Sequence, residues 1–209
     1  TKHDLKWTAK EFNDYIDSHA NALLEFNIKK GDTIAIWMHD CAEKHVTMMA
    51  AAKAGIKIVD VDQQITDVND VRAFLTASDC KMIYFRPEYK EYDYLHILRQ
   101  AIPEFFSYDD SHGQMFHSKY FRKLRYFVQT GPDIENGCLN YKGLFLPHPT
   151  EDMLSQAAAS NTDNDPIYQQ IKKGGKGIEV GEALTATKVL DLPAWGFAKK
   201  VIDQQYFEL

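Results

Sequence analysis

Residues 171–180, IKKGGKGIEV, gather Gly174, Gly175 and Gly177 with Lys172, Lys173 and Lys176. Glycines let successive backbone N–H groups converge on an anion, so this stretch could cradle nucleotide phosphates. It has no Ser or Thr hydroxyl and fits neither G-x-x-x-x-G-K-[ST] nor G-x-G-x-x-G. Glu179 and Glu182 would repel a triphosphate, so the reading is a flexible, solvated turn. His39, Asp40 and Cys41 offer a thiol beside an imidazole, the groups of Cys–His nucleophilic catalysis. Sequence neighbours rarely meet in the geometry that chemistry needs, and no catalytic role is assigned. His112 and His117 are spaced H-x-x-x-x-H, with no Cys or Glu placed to complete a zinc site, and read as a surface loop. Residues 118–127, SKYFRKLRYF, interleave Lys119, Arg122, Lys123 and Arg125 with aromatics. That pattern suits acidic lipid headgroups or a nucleic-acid single strand. The plainer reading is a loop feeding a strand. Met48 and Met49 are either an adaptable binding face or core packing. No catalytic, cofactor-binding or metal-ligating residue is assigned, and no cofactor is expected.

The composition is that of a globular protein: 44% hydrophobic, 26% charged, formal charge −6 over 209 residues. The acidic balance disfavours nucleic-acid binding. No apolar run is long enough to span a bilayer as a helix. The 3 cysteines, Cys41, Cys80 and Cys138, form no C-x-x-C pair and fit a reducing compartment better than a disulfide framework. A first residue Thr1 rather than Met fits removal of a transit peptide. The expected location is therefore mitochondrial, or otherwise cytoplasmic.

The elements that must position these residues follow from periodicity. Thr8 to Glu11 reads as a capping box. The helix behind it carries Phe12, Tyr15, Ile16, Ala20, Leu23 and Leu24 on one stripe and ends at Lys29, Lys30 and Gly31. Strands are predicted over 32–38, 56–61, 80–85 and 123–130, with helices over 42–54 and from Val68, capped by Thr66 or Asp67. A further helix is predicted over 89–102, stopped by Pro103, and a short one over 150–159. Alternation at this spacing predicts an α/β fold: a mainly parallel sheet of about four strands with flanking helices (βαβαβ) in a domain over 1–159. Residues 160–209 read as an irregular C-terminal tail with short helices. Its isolated apolar residues, Leu190, Leu192, Trp195, Phe197, Val201, Ile202 and Phe207, need a surface to dock on.

Residues 12–66 resemble the opening of the adenylate-forming (AMP-binding) enzymes, the superfamily of acyl-CoA synthetases, luciferases and peptide-synthetase adenylation domains. FNIKKGDTIAIWM follows the family's G-x-x-x-G-D-x-V-A-I run, with Asn27 where Gly is usual. Ala50 to Gly55 matches its A-x-x-K-A-G helix end, and Asp60, Val61 and Asp62 stand at its P-V-N/D turn, with Asp60 replacing Pro. LRYFVQTGPD resembles the next strand, so the likeness covers roughly residues 5–158. Members are much longer. The resemblance implies a Ser/Thr/Gly-rich phosphate loop soon after residue 160, then an aromatic-Gly-x-Thr-Glu segment, a ribose-binding Asp and a catalytic lysine. This sequence has none of them.

The expectation is therefore a non-catalytic subunit, not itself an enzyme, derived from an acyl-CoA synthetase N-terminal subdomain. Its partners would be other protein subunits of a large assembly, a mitochondrial energy-transducing complex or a ribosome, with peripheral lipid contact through Lys119, Arg122, Lys123 and Arg125. Two alternatives are a fragment or separately encoded part of an adenylate-forming acyl-CoA synthetase, and an acyl- or CoA-binding module.

Overall fold

The computed structural model describes residues 6–109, 115–149, 152–198 and 207–208. Helix α1 (Ala9–Glu25) begins at the expected capping box: the Thr8 hydroxyl accepts from Glu11 N at 3.2 Å, and Glu11 Oε2 accepts from Thr8 N at 2.8 Å. It ends where Asn27 turns left-handed at φ 56°. Asparagine is one of the few side chains that tolerates that conformation, which explains how it stands in place of a glycine. Strand β1 (Thr33–Trp37), helix α2 (Ala42–Lys53), strand β2 (Lys57–Val61) and helix α3 (Val68–Ser78) follow. Asp67 is the cap of α3, accepting from Asn69 N and Asp70 N. Gly55 at φ 71° closes α2. A Cβ there would lie 2.2 Å from Asn161 Oδ1, in the space where Asn161 donates to the α2 carbonyl of Lys53 at 3.0 Å.

Strand β3 (Met82–Phe85), helix α4 (Tyr94–Ala101), strand β4 (Tyr126–Gln129), strand β5 (Leu139–Asn140) and helix α5 (Met153–Ala159) complete the α/β pattern. The predicted helix over 89–102 starts later. Glu88–Tyr89 and Tyr92–Asp93 pair as a hairpin, turning at Lys90 with φ 55°. Tyrosines favour extended backbone, and Asp93 is the real cap, accepting from His96 N at 2.7 Å.

The sheet is larger than four strands. Residues from the expected tail form β6 (Pro166–Gly174), β7 (Gly177–Val180) and β8 (Leu184–Thr185). The sheet has 8 strands in the order β7-β6-β2-β1-β3-β4-β5, with β8 also on β6. Pairings from β6 to β5 are parallel, and β7 and β8 join antiparallel. The tail reading is thus corrected for 166–185. Ile167, Tyr168 and Ile171 are buried, but the interleaved glutamines and lysines hide the strand pattern. Parallel pairing with β2 supplies the burial that composition does not advertise.

The central strands feed two cores, as a sheet covered on both faces must. Ile34, Ile36, Ile58, Met82, Tyr84, Val128 and Tyr168 face α1, α2 and α5. Ala35, Trp37, Val59, Val61, Ile83, Phe85, Phe127 and Ile171 face α3 and α4. Trp195 and Phe197 dock on the first core, with Phe197 4.0 Å from the His45 ring and Trp195 5.8 Å from that of Tyr168. Val201 and Ile202 lie outside the described residues.

Candidate functional site

In open parallel sheets ligands bind outside the carboxyl ends of the strands, where the strand order reverses direction. Here β2 lies to one side of β1 and β3 to the other, so that point is between β1 and β3. The loop after β1 carries His39, Asp40 and Cys41. The loop after β3 carries Arg86 and the hairpin. His39 stacks flat on Tyr89, centroids 4.1 Å apart and planes at 8°, joining the two loops. Burial, helped by the Arg86 charge, holds His39 below its ordinary pKa, so the ring is neutral at pH 7.

The Cys41 thiol is pushed up to about 12, chiefly by burial. It stays protonated and is no nucleophile. The imidazole that pairs with Asp40 is His45, through Nε2 at 3.0 Å, and this bond holds the Asp40 carboxyl below its usual range.

Behind this edge lies a buried polar triad that sequence reasoning missed. Asp60, on β2, accepts from Lys44 Nζ of α2 at 2.6 Å and from the Tyr168 hydroxyl of β6 at 2.8 Å. Burial drives the Tyr168 hydroxyl far above its ordinary pKa, so it remains a donor. The departure from the family's proline at position 60 was the available signal. A carboxylate in a strand interior needs partners, and α2 and β6 provide them.

Beside the crevice, a cleft of about 370 Å³ is lined by Gln63, Tyr89, Lys90, Tyr92, Tyr94 and Lys173, among others. Tyr94 donates to the Gln63 carbonyl at 2.8 Å, and burial first of all raises its hydroxyl to about 12. Tyrosine faces and ammonium groups can hold a planar or anionic group. The Tyr94 hydroxyl stays protonated at neutral pH. This edge therefore offers positioning chemistry.

The glycine–lysine stretch is a hairpin turn. Gly174 and Gly177 face each other across β6 and β7, leaving Gly175 and Lys176 as the two-residue loop, with Gly177 at φ 114°. Glu179 sits opposite Lys172, and Lys173 pairs with Asp70. Backbone groups engaged in the ladder do not converge on an anion. His117 Nδ1 donates to the Met115 carbonyl at 2.7 Å, while His112 lies outside the described residues. Among the described residues no group of three His, Cys, Asp or Glu side chains could hold a metal ion. None of the described helices is long and apolar enough to cross a membrane. Met48 is fully buried and Met49 packs against the same core, so this pair is packing. Lys119, Arg122, Lys123 and Arg125 precede β4 and so lie at the opposite, amino edge of the sheet.

The family described as AMP-binding enzyme matches residues 2–126. The human "Medium-chain acyl-CoA ligase ACSF2, mitochondrial" is 27% identical over 101 residues, 48% of this chain and 16% of that protein. YngI of Bacillus subtilis, described as an acyl-CoA synthetase, is 23% identical over 190 residues, 90% of this chain and 34% of that protein. A solved structure described as a long-chain-fatty-acid CoA ligase, from Rhodopseudomonas palustris, superposes with TM-score 0.65 at 14% identity, covering 93% of this chain and 40% of the other. The chain thus spans well under half of these relatives. The expectation of a protein that is not an enzyme is corrected: the matched relatives are ligases, and the chemistry missing from these 209 residues belongs to proteins far longer than this sequence. With a doubly covered parallel sheet, the matching G-D and K-A-G turns and this span of family likeness, the chain belongs to the AMP-binding enzyme family.

Proposed function

We propose that this chain is part of an adenylate-forming acyl-CoA ligase, either a fragment or a separately encoded piece. In this reading it supplies the α/β layer against which the phosphate loop and catalytic lysine are assembled. The observation that carries it is the family match over residues 2–126, joined to a fold likeness that covers 93% of this chain but 40% of a ligase. The reaction would join a carboxylate to the AMP portion of ATP with loss of pyrophosphate, then transfer the acyl group to the thiol of coenzyme A with release of AMP. Within it, the carboxyl-edge cleft with Tyr89, Tyr92 and Lys90 acts by binding and orienting. A mitochondrial setting is supported by the name of the ACSF2 relatives.

The test is to isolate the native protein from its source with an antibody against this sequence. Its polypeptide length and companions are read by mass spectrometry, and carboxylate-dependent ATP–pyrophosphate exchange is measured in the same fraction. Exchange is expected, accompanied by a longer polypeptide or a partner bearing the phosphate loop. A purified species that contains this sequence and exchanges with no acid from short to long chain overturns the proposal.

A further inference from the structure

The amino edge of the sheet lies opposite the carboxyl-edge crevice and carries a surface of its own. The helical turn Pro103–Phe106 and the segment before β4 meet there. Lys119 N donates to Glu104 Oε1 at 3.3 Å, and the buried rings of Phe105 and Phe116 pack edge to face at 6.2 Å. The chain neighbours of that buried pair turn outward: Phe106 is 73% exposed and Met115 52%, with Tyr120 at 65% nearby. Beneath Tyr120 and Phe121 lie two adjoining hollows of about 520 and 110 Å³, walled by Arg72, Pro103, Leu75 and Lys123.

The charges around these apolar groups are mainly positive, although the whole chain is acidic. Arg72 donates to the backbone carbonyls of Ala101 and Gln100, so no carboxylate neutralises it there. Arg125 donates to the Leu124 carbonyl. Arg122 forms no ion pair among the described residues. Lys119 leans over the Tyr120 ring at 4.7 Å. Lys123 is offset by Asp79 at 2.6 Å.

We propose that this edge is a docking surface for an anionic lipid bilayer. Phe106, Met115 and Tyr120 would enter the headgroup boundary, and Lys119, Arg122 and Arg125 would meet lipid phosphates. Exposed apolar side chains ringed by cations are what interfacial binding requires, since it sums buried apolar area and attraction to anionic lipid. Single-stranded RNA is the lesser fit, because the exposed Met115 offers no ring on which a base could stack. The polarity of the parallel strands then turns the carboxyl-edge crevice away from the membrane.

The test is flotation of the full chain with vesicles of phosphatidylcholine alone or mixed with phosphatidylglycerol. Binding is expected to the mixed vesicles only, and to be lost in roughly 1 M salt, where the screening length is about 3 Å. Lys119→Ala with Arg122→Ala should weaken it about thirtyfold, near fivefold per charge. Phe106→Ser with Tyr120→Ser should weaken it about tenfold or more, with the circular dichroism of the fold unchanged. Lys172→Ala with Lys176→Ala removes the same charge from the opposite edge and should change it less than about twofold. Equal binding to both vesicles, equal loss from the two lysine-containing pairs, or tighter binding of single-stranded RNA through Lys119 and Arg122 would each overturn the proposal.

Discussion

Replacing Asp60 by alanine is expected to be among the most damaging single changes in this chain. The Lys44–Asp60 side chains are 13% and 7% exposed, so the pair is mostly shielded from water. Removing the carboxylate strands the Lys44 ammonium and the Tyr168 hydroxyl together. Breaking a buried ion pair from one side costs about 3–5 kcal/mol, because the remaining charge keeps its desolvation penalty without its partner. For a chain of this size 1 kcal/mol shifts Tm by about 2–4 °C, so Asp60→Ala should lower it by roughly 6–20 °C. The informative comparison is Lys44→Met with Asp60→Leu and Tyr168→Phe, which removes all the polar groups at once. Apolar replacement of buried ion pairs is often neutral, so this variant should fall within about 2 kcal/mol of the parent. Urea unfolding followed by circular dichroism reads both. If Asp60→Ala costs under about 1 kcal/mol, or the triple variant is worse than the single one, then Asp60 is not a buried charge held by its two donors.

Other perturbations test other parts of the structure. His19, fully buried, donates through Nδ1 to the Leu144 carbonyl at 2.7 Å and accepts at Nε2 from the Tyr84 hydroxyl at 3.0 Å. Burial lowers its pKa to about 4, so the unfolded chain binds the proton first; this stabilisation is complete above the unfolded value of 6.5 and is lost as pH falls toward 4, by about 3 kcal/mol. NMR titration should show the His19 ring neutral down to about pH 4, and protonation near pH 6 would refute it. Cys41, with its thiol near 12 against an ordinary 9.0, should react with iodoacetamide about a thousandfold more slowly than a free thiol at pH 8, read by mass spectrometry of the labelled peptide. Asn27→Gly should hold or raise stability, whereas Asn27→Ala should cost about 1 kcal/mol at its positive φ, measured by thermal melts. Phe197→Ala should cost about 3 kcal/mol by removing the ring that covers His45 and Phe12; a silent change would mean that the segment beyond β8 is not docked there.

The sequence was most legible where local signals agree with the fold. The Thr8–Glu11 box, the Asp67 cap, Gly55 and the first four strands all follow from capping, turn and periodicity rules. It was least legible where burial is conferred by distant pairing. β6 alternates poorly because Gln169, Gln170 and two lysines share it with three buried apolar residues, and only contact with β2 makes it a strand. The 88–93 hairpin is equally obscure, since its tyrosines fit a helix pattern until Asp93 is placed as the cap. At the carboxyl edge, the sequence of His39 and Cys41 suggests a thiol–imidazole pair. Solvation decides otherwise: the thiol is too buried to ionise, and the imidazole stacks on a tyrosine that no sequence rule joins to it.

The place of β6 beside β2 also sets an order of events during synthesis. Tyr168 reaches Asp60 across 108 positions of sequence. While the ribosome has delivered only the first half of the chain, β1 to β3 can assemble, but the outer margin of Lys57–Val61 has no neighbour. Such a margin is a template for another nascent chain. The interval between emergence of β2 and arrival of β6 is thus a window of vulnerability, in which holdase chaperones protect yield and slow translation after residue 130 lengthens the exposure.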